Sequence, residues 1–363
     1  MTSILQHNCQ GSFAAMCSLG QTMLTSSSNF ALVQEPYTKE GKIVGVPGRM
    51  RTFTDTRGMA AVILNVEADW ECVQVDSNEW GVCVSVQCSA GKVLLASVYC
   101  QHSLALDPYI LYLDRLLQLA RGIPLIVGLD ANASSQAWYS KPTRSPTAET
   151  HSLRRGDVLS EWVLSRGLQI LNESSSLYTF SGPVGESDVE VTLASDAGRR
   201  LQFSWSLVLA DVSDHNLIKI TVSWAEVEER HPSRPVEKRW RTTQANWATF
   251  GALVRDSVSS IPLQDFASLT SREQVALLEG AVEVVCDNLF DRCQPAQPRK
   301  LKWWTLELER KKRLVRSLRK RFQRARRVSS DELPQHCRDF RTCLAEYKSL
   351  LTKTKEDHWR AFA

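Results

Sequence analysis

The feature that most constrains this chain is a series of short apolar segments, each ending in a polar residue. Phe30 to Gln34 is followed by Glu35, and the wholly apolar Ile123 to Leu129 is followed by Asp130. Segments of this length and content are typical of buried β-strands. Because strand ends gather at one edge of a sheet, we expect these polar residues to lie together there.

Helical periodicity separates the strands within the first 225 residues. Ala14 to Leu24 and Gly156 to Ser165 have helical spacing, and Asp107-Pro108 predicts a third helix with Asp107 as its cap. Many strands separated by a few helices predict a four-layered α/β sandwich, in which two packed mixed sheets are flanked by helices. An α-helical C-terminal extension is expected to follow it.

Composition divides the rest of the chain. Residues 226–240 are rich in charge and proline and are predicted to be a linker. Residues 241–297 have helical spacing and are predicted to be a helical connector. Residues 298–363 hold two apolar seams and are predicted to form a basic helical hairpin.

The first helix of this hairpin is strongly cationic. Residues 299–327 contain fourteen Lys and Arg against two Glu, a net charge of +12. The ordinary explanation is a solvated helix face whose cationic stems cover the seam. Contact with nucleic acid phosphates, without sequence readout, is favoured here, and a nuclear-localisation role is equally compatible. The predicted contact residues are Arg310, Lys311, Lys312, Arg313, Arg316, Arg319, Lys320 and Arg321.

Bulk properties exclude several classes of protein. With 43% hydrophobic and 23% charged residues, the chain is not expected to be disordered. Its ten cysteines form no CxxC pair, which favours reduced thiols over a zinc site. No signal peptide or membrane-length apolar run is visible, so we expect a protein of the nucleus or cytoplasm that is neither secreted nor bound to a membrane.

The segment Ser213-Asp214-His215-Asn216 carries the clearest chemical signal. A carboxylate next to a histidine at a strand end suits metal-assisted cleavage of a phosphodiester. Each polar residue also has a simpler explanation on its own. Asp130-Ala131-Asn132 has the composition of a turn, Glu35-Pro36 would end a strand, and Tyr99 would serve packing.

Six motifs, taken in order, outweigh these explanations. Together they resemble the endonuclease/exonuclease/phosphatase superfamily, and most closely the endonuclease domain of non-LTR retrotransposons, especially arthropod elements that insert at defined sites. The resemblance covers roughly residues 3–223 and implies a domain of that fold over residues 1–225. The motifs are Leu5-Gln6-His7-Asn8, Gln34-Glu35-Pro36-Tyr37, Ser97-Val98-Tyr99, Gly128-Leu129-Asp130-Ala131-Asn132, Val189-Glu190-Val191-Thr192-Leu193 and Ser213-Asp214-His215-Asn216.

The later part of the chain also resembles those elements. Trp303 to Leu308 and the basic helix are similar to the connector that precedes their reverse transcriptase. No polymerase motif follows, so we expect an open reading frame that is truncated before the reverse transcriptase. DNA is the implied partner, and RNA, including the element transcript, is the alternative for the basic helix.

The resemblance implies a Mg²⁺-dependent DNA endonuclease, with Mn²⁺ as the alternative cation. It would nick target DNA and leave a 3′ hydroxyl that primes reverse transcription. Glu35 would be the main metal ligand, since hard cations prefer carboxylate oxygen. Asn8 and Asp214 would also contribute to the metal site, and both are expected to act in catalysis.

The remaining catalytic roles follow from the same resemblance. Asp130 would orient and deprotonate the attacking water. Tyr99 and Asn132 would donate hydrogen bonds to the phosphoryl oxygens as charge grows there. His215 would bind the phosphate or transfer a proton.

Glu190 departs from the family pattern, which has Asp at this position to pair with the catalytic histidine. The extra carbon lengthens the side chain by about 1.5 Å, and a misplacement of about 1 Å can cost on the order of 10²-fold in rate. We therefore expect impaired activity, unless Asp188 substitutes. The alternatives are an inactive remnant that only binds nucleic acid, or the same fold acting on a phosphomonoester or inositol phosphate.

Overall fold

The structure is a computed structural model that describes residues 2–65, 70–88, 91–141, 146–182, 185–195, 201–224, 240, 242, 246–291 and 301–362. It divides into two compact units. The first contains residues 1–226 together with 298–363, and the second contains residues 227–297. Residues 298–363, for which a basic helical hairpin is predicted, are grouped with the first unit.

Within the described residues, the strands are β1 (Thr2–Asn8), β2 (Phe30–Gln34), β3 (Thr38–Lys39), β4 (Lys42–Ile43), β5 (Arg51–Thr54), β6 (Ala60–Leu64), β7 (Glu71–Ser77), β8 (Gly81–Cys88), β9 (Gly91–Tyr99), β10 (Leu125–Asp130), β11 (Gln169–Ile170), β12 (Phe180–Gly182), β13 (Gly185–Ser187), β14 (Glu190–Ser195), β15 (Leu201–Val208) and β16 (Leu217–Trp224). The helices are α1 (Phe13–Thr25), α2 (Asp107–Ala120), α3 (Pro146–Ser165), α4 (Trp247–Ser259), α5 (Leu263–Ser268), α6 (Ser271–Leu289), α7 (Leu306–Arg327) and α8 (Leu333–Phe362).

Two six-stranded sheets form the centre of the first unit. Sheet one has the order β15-β16-β1-β2-β6-β5, and sheet two has the order β11-β14-β10-β9-β8-β7. Side chains alternate between the faces of each strand, so Ile4 and Leu32 point into the core between the sheets while Leu5 and Val33 point outward. Val84 and Ile126 of sheet two pack in the same inter-sheet core.

Helices cover both outer faces. The apolar faces of α2 and α3 pack on sheet two, with Leu113, Leu116 and Leu159 fully buried. On sheet one, α1 shares a core with α7 and α8. The predicted four-layered sandwich with a helical C-terminal region is confirmed, and the C-terminal helices form part of one outer layer.

The seam predicted on the basic stretch lies between α7 and α8. Leu308 and Val315 on α7 and Tyr347 on α8 are fully buried in one cluster. The rings of Phe322 and Phe340 stack across the hairpin with centroids 5.9 Å apart and planes inclined by 9°. Both helices are therefore fixed to each other and to sheet one.

Local details differ from the sequence predictions in three places. Asp107 is the first residue of α2 and not its cap, because the cap position falls on Leu106, which makes no side-chain cap bond. Helix α3 begins ten residues before the predicted start, at Pro146. The hairpin of β12 and β13 was not predicted as a pair, because its strands are only three residues long. The linker predicted at 226–240 lies outside the described residues except for Trp240.

The described residues of the second unit form helices α4, α5 and α6. Trp247 and Phe250 at the start of α4 pack against Phe290 at the end of α6, with ring centroids 5.7 to 6.3 Å apart. Thr270 and Glu273 form a reciprocal capping box that begins α6. Across the part of the chain that the structure describes, none of the helices combines the length and apolar character needed to cross a bilayer.

Candidate functional site

Strand register brings three predicted site residues side by side on sheet two. Asp130, the last residue of β10, is the register partner of Tyr99 on the parallel strand β9. On its other side, Asp130 is the register partner of Glu190 on the antiparallel strand β14. Their side chains therefore share one face and one end of the sheet, although 91 positions separate Tyr99 from Glu190 along the chain.

Sheet one supplies Asn8 and Glu35 at the same edge. Asn8 pairs in register with Gln34, and Glu35 follows at the end of β2. Glu35 has a left-handed backbone conformation with φ of 45°, which is uncommon for a residue with a side chain. Its N–H donates to the carbonyl of Met59 and its carbonyl accepts from the N–H of Gly11, both at 2.8 Å. These bonds hold Glu35 in a conformation that turns the chain sharply at the sheet edge.

Tyr99 links the two sheets at this edge. Its hydroxyl donates a hydrogen bond to the Glu35 carboxylate. Burial, and then the negative charge of Glu35, raise the pKa of Tyr99 above its ordinary value. Tyr99 therefore stays protonated and keeps its hydrogen-bond donor at neutral pH.

Asp130 is almost fully buried and held by two donors. The Asn8 amide nitrogen donates to Asp130 Oδ2 at 2.7 Å, and the backbone N–H of Asn132 donates to Oδ1 at 3.1 Å. Burial raises the pKa of Asp130 to about 7, and the neighbouring Glu190 charge contributes to this shift. A carboxyl group with such a pKa can both accept and release a proton near neutral pH.

His215 contacts Glu190 directly, through Nδ1 and the carboxylate oxygen Oε1. Burial opposes the charged imidazolium, but the Glu190 carboxylate outweighs burial and raises the pKa of His215 to about 9. The charges of Asp130 and Glu35 act in the same direction. The longer side chain of Glu190 thus reaches the histidine in this structure.

The backbone around His215 is also fixed. Ser213 Oγ donates to the carbonyl of Asn8 at 2.7 Å and accepts from the His215 N–H at 3.1 Å. The Phe180 ring packs edge-on against the imidazole, with centroids 4.9 Å apart. Ser213 lies within a predicted motif, whereas nothing in the sequence indicated the contact of Phe180.

Asn132 and Asp214 lie beside this group, but their side chains have other surroundings. The Asn132 amide donates to the carbonyl of Cys100 at 3.2 Å. The Asp214 N–H donates to Gln10 Oε1 at 3.0 Å, and its half-buried carboxylate lies close to Gly182. Their predicted roles in phosphate and metal binding therefore stay predictions.

His7 is a further neighbour of the site, and its sequence context is equally compatible with a structural and a substrate-facing role. It is buried, and burial followed by the nearby His215 lowers its pKa to about 4. His7 is therefore neutral at physiological pH. Its Nδ1 has no hydrogen-bond partner among the described residues.

The carboxylates of Asp130 and Glu190 fit a divalent metal ion, whereas His215 cannot ligate one while it is protonated and bonded to Glu190. Ligand-type atoms of Asp130, Glu190 and His215 lie within 4.8 Å of one another, and no other group of three such residues is found in the described part of the chain. Glu190 Oε2 is buried and lacks a hydrogen-bond partner within the described residues. Carboxylate oxygens suit hard cations such as Mg²⁺. Glu35, the ligand expected from the sequence, is outside this trio but adjoins it through Tyr99.

The eight cations predicted to contact nucleic acid differ in exposure. Lys312 and Arg319 are 5% and 2% exposed, so they cannot reach a phosphate backbone in this structure. Lys312 instead lies 3.8 Å from the Asp211 carboxylate. Lys311 pairs with Glu346 and is half-buried, as is Arg316. The exposed members of the set are Arg310, Arg313, Lys320 and Arg321.

Because the pKa values of His215 and Asp130 are raised, we expect the cation-free protein to lose stability as the pH rises. The pKa of His215 in the folded protein is raised from 6.5 to about 9. Its contribution to the free energy of unfolding is therefore complete below pH 6.5 and is lost as the pH rises to about 9. Asp130, raised from 3.8 to about 7, acts with the same sign at lower pH. Thermal unfolding in EDTA should show Tm falling between pH 6.5 and 9.

Glu190→Gln provides the comparison for this pH dependence. It removes the charge that raises both pKa values, so its Tm should vary less over the same range. If Tm changed equally with pH in the wild type and in Glu190→Gln, the Glu190 charge could not be what raises the two pKa values.

Comparison with known proteins relates this site to a family. A protein-family model described as "Endonuclease-reverse transcriptase" matches residues 93–219. The chain is 35% identical over 366 residues to the putative 115 kDa protein in type-1 retrotransposable element R1DM of Drosophila melanogaster; the match spans 100% of this chain and 36% of that protein. It is 33% identical over 330 residues to the retrovirus-related Pol polyprotein from type-1 retrotransposable element R1 of Bradysia coprophila, spanning 89% and 33%.

The chain thus spans about a third of the length of the curated relatives it matches. Among solved structures, it is similar to the endonuclease domain of TRAS1, a telomere-specific non-LTR retrotransposon. The identity is 29% and the TM-score 0.51, over 60% of this chain and 96% of that domain. These similarities support a nuclease role. In sequence and fold, the first unit of this chain resembles an endonuclease/exonuclease/phosphatase-type endonuclease of a non-LTR retrotransposon.

Proposed function

We propose that the chain is a divalent-metal-dependent DNA endonuclease that nicks target DNA and leaves a 3′ hydroxyl primer. The observation that supports this most is the cluster of Asp130, Glu190 and His215, bordered by Asn8 and Glu35 at one edge of both sheets. Phosphodiester hydrolysis needs a general base, a charge-stabilising group and hydrogen-bond donors at the phosphate. The cluster and its neighbours include all three.

The residues take complementary roles in this proposal. Asp130, oriented by Asn8 and by the backbone of Asn132, accepts the proton of the attacking water. His215, held charged by Glu190, stabilises the negative charge that develops on the phosphoryl oxygens. Tyr99 stays protonated and donates a hydrogen bond at the same edge.

We assign the cation, with Mg²⁺ favoured over Mn²⁺, to the edge formed by Glu35 and the cluster, with Asn8 and Asp214 as further candidate ligands. When bound, it would polarise the scissile phosphate and stabilise the leaving 3′ oxygen. The buried oxygen Oε2 of Glu190, which lacks a partner among the described residues, supports the presence of a cation or water there.

The basic helix supplies a DNA contact in this proposal. A cleft of about 770 Å³ lies between α7, the end of β15 and residues 176–177, and its cationic lining consists of Arg316, Lys320, Arg324 and Arg327. None of the described residues that line it is acidic. A groove of this charge attracts a phosphate backbone without reading its sequence.

Lys320→Gln with Arg324→Gln is expected to weaken binding to any DNA sequence. Each lost phosphate contact should lower the slope of log K against log salt by about 0.9 for duplex DNA. Fluorescence anisotropy over a salt series measures this, with duplex DNA and RNA probes compared. Arg338→Gln with Lys353→Gln on α8 is the matched control for total charge. Equal salt slopes in the two double variants would argue against a DNA contact in the cleft.

Nicking of supercoiled plasmid tests the proposed function itself. The purified chain should convert plasmid to open circles with Mg²⁺, stop in EDTA, and leave ends that a polymerase extends. Binding without nicking would favour the alternative of an impaired remnant. That alternative arises because this chain has Glu190 where the family pattern has aspartate. Hydrolysis of soluble inositol phosphates in preference to plasmid would favour a phosphomonoesterase.

A further inference from the structure

Arg319 lies at the centre of the interface between α7 and the segment that bears His215. This segment, residues 209–216 between β15 and β16, is named the His215 loop here. Arg319 is 2% exposed, although it belongs to a helix whose other cations mostly face solvent. The family match ends at residue 219, well before this helix.

The guanidinium of Arg319 donates hydrogen bonds to four backbone carbonyls. Nη1 bonds the carbonyl of Ala210 at 2.9 Å and also that of Ser213. Nη2 bonds the carbonyls of Asp214 at 2.9 Å and Ser181 at 3.3 Å. Three of these acceptors belong to the His215 loop, and two directly precede His215.

The fourth acceptor belongs to the hairpin of β12 and β13, which forms the other wall beside His215. Phe180 forms a β-bridge with His215. The N–H of Ser181 donates to the carbonyl of Asp214 at 2.8 Å. Arg319 therefore binds two adjoining segments: the loop that bears the imidazole and the hairpin that packs against it.

Other polar residues of α7 extend the same interface. Gln323 donates to Ser181 Oγ at 2.9 Å, and Arg326 donates to the carbonyl of Gly182 at 2.6 Å. Lys312 and Arg316 lie 3.8 and 3.9 Å from the buried carboxylate of Asp211. Together with Arg319, these four residues recur every three or four positions, so they form one helix face beside the apolar seam.

Stability alone is a weak reason for a buried arginine here. Removing a guanidinium from water is costly, and apolar residues of similar volume often stabilise a buried position equally well. Burial also lowers the pKa of Arg319 to about 10, still far above neutral pH, so it remains charged. A planar group with five fixed donors can instead define the relative position of several carbonyls at once.

We propose that Arg319 is a positioning residue for His215, and that α7 is therefore part of the catalytic unit. The inference rests on the proposed nuclease function. Arg319 acts through the backbone of the His215 loop and does not touch the reacting phosphate. The helix then has two roles, since its buried polar face orders the site while Lys320, Arg324 and Arg327 line the cleft.

Arg319→Met in the full chain tests this, because methionine keeps the aliphatic stem and removes all five donors. Hydrogen–deuterium exchange should increase in peptides covering residues 179–182 and 210–216, and stay unchanged in the cores of both sheets. At a temperature well below Tm, the kcat for plasmid nicking should fall on the order of 10-fold while KM stays within about twofold. Arg319→Lys should restore part of the lost rate, because it keeps one donor group and the charge.

Arg338→Met on the exposed face of α8 is the matched control. It should change neither the hydrogen–deuterium exchange of these peptides nor the kcat for plasmid nicking. Wild-type exchange in the His215 loop together with wild-type kcat in Arg319→Met would overturn the inference. Should the methionine variant fail to fold, Arg319→Lys decides by the same two measurements, because lysine cannot bond four carbonyls. If the wild-type chain does not nick at all, the nuclease proposal fails, while the exchange measurement still decides whether Arg319 orders the loop.

Discussion

Replacing Glu35 by glutamine is expected to lower Mg²⁺-dependent nicking by at least about 10³-fold, since a bound metal contributes several kcal/mol and each 1.36 kcal/mol is tenfold in rate. Glutamine matches glutamate in size and can still accept the hydrogen bond from Tyr99. The change therefore removes charge from the site with little effect on packing. The measurement is the nicking rate across a Mg²⁺ titration, in which half-maximal activity should move to higher Mg²⁺.

Glu40→Gln is the control for this prediction. Glu40 is exposed in the turn between β3 and β4, five residues from Glu35, and also has a positive φ of 53°. The Glu40→Gln variant should nick plasmid at the wild-type rate at every Mg²⁺ concentration. A Glu35→Gln variant with the same Mg²⁺ dependence as Glu40→Gln would remove Glu35 from the metal site.

Shortening Glu190 to aspartate is expected to lower the nicking rate on the order of 10²-fold. The family pattern alone predicts the opposite, because it has aspartate here. In the structure, however, Glu190 contacts Nδ1 of His215 directly, so a side chain about 1.5 Å shorter would withdraw the carboxylate. His215 would then lose the main group that holds it charged.

Plasmid nicking by Glu190→Asp distinguishes an adapted enzyme from an impaired one. Glu161→Asp, an exposed glutamate on α3, should leave the rate unchanged and controls for the substitution type. A rate that rises in Glu190→Asp would show that glutamate impairs the enzyme, as its departure from the family pattern suggests. Binding without nicking in both proteins would favour the remnant.

The layered fold could be predicted from the sequence because its strands are apolar and its helices are clearly amphipathic. Val82, Val84 and Val86 are all fully buried in the inter-sheet core, as their alternation indicated. The gathering of polar residues at one edge could be predicted for the same reason, since Asp130 ends one buried strand and Glu35 directly follows another. Short elements such as β12 and β13 were missed because three residues give too little periodicity to detect.

The interface of α7 could not be predicted from its charge. A run of arginine and lysine ordinarily indicates a solvated or nucleic-acid-binding face, and Lys312 and Arg319 were assigned on that basis. Their burial depends on carbonyl and carboxylate partners more than 100 positions away, among them Asp211 and Ser213. A signal was present, because Lys312, Arg319 and Arg326 repeat every seven residues alongside the apolar seam.

The most direct test compares plasmid nicking by the wild-type chain and by His215→Ala in Mg²⁺, after both have been shown to be folded. We expect open-circular product from the wild type and a rate lower by at least about 10²-fold from the variant. His358→Ala, an exposed histidine on α8, should nick at the wild-type rate. Equal nicking by the wild type and His215→Ala would contradict the claim that this edge of the two sheets is the site of phosphodiester cleavage.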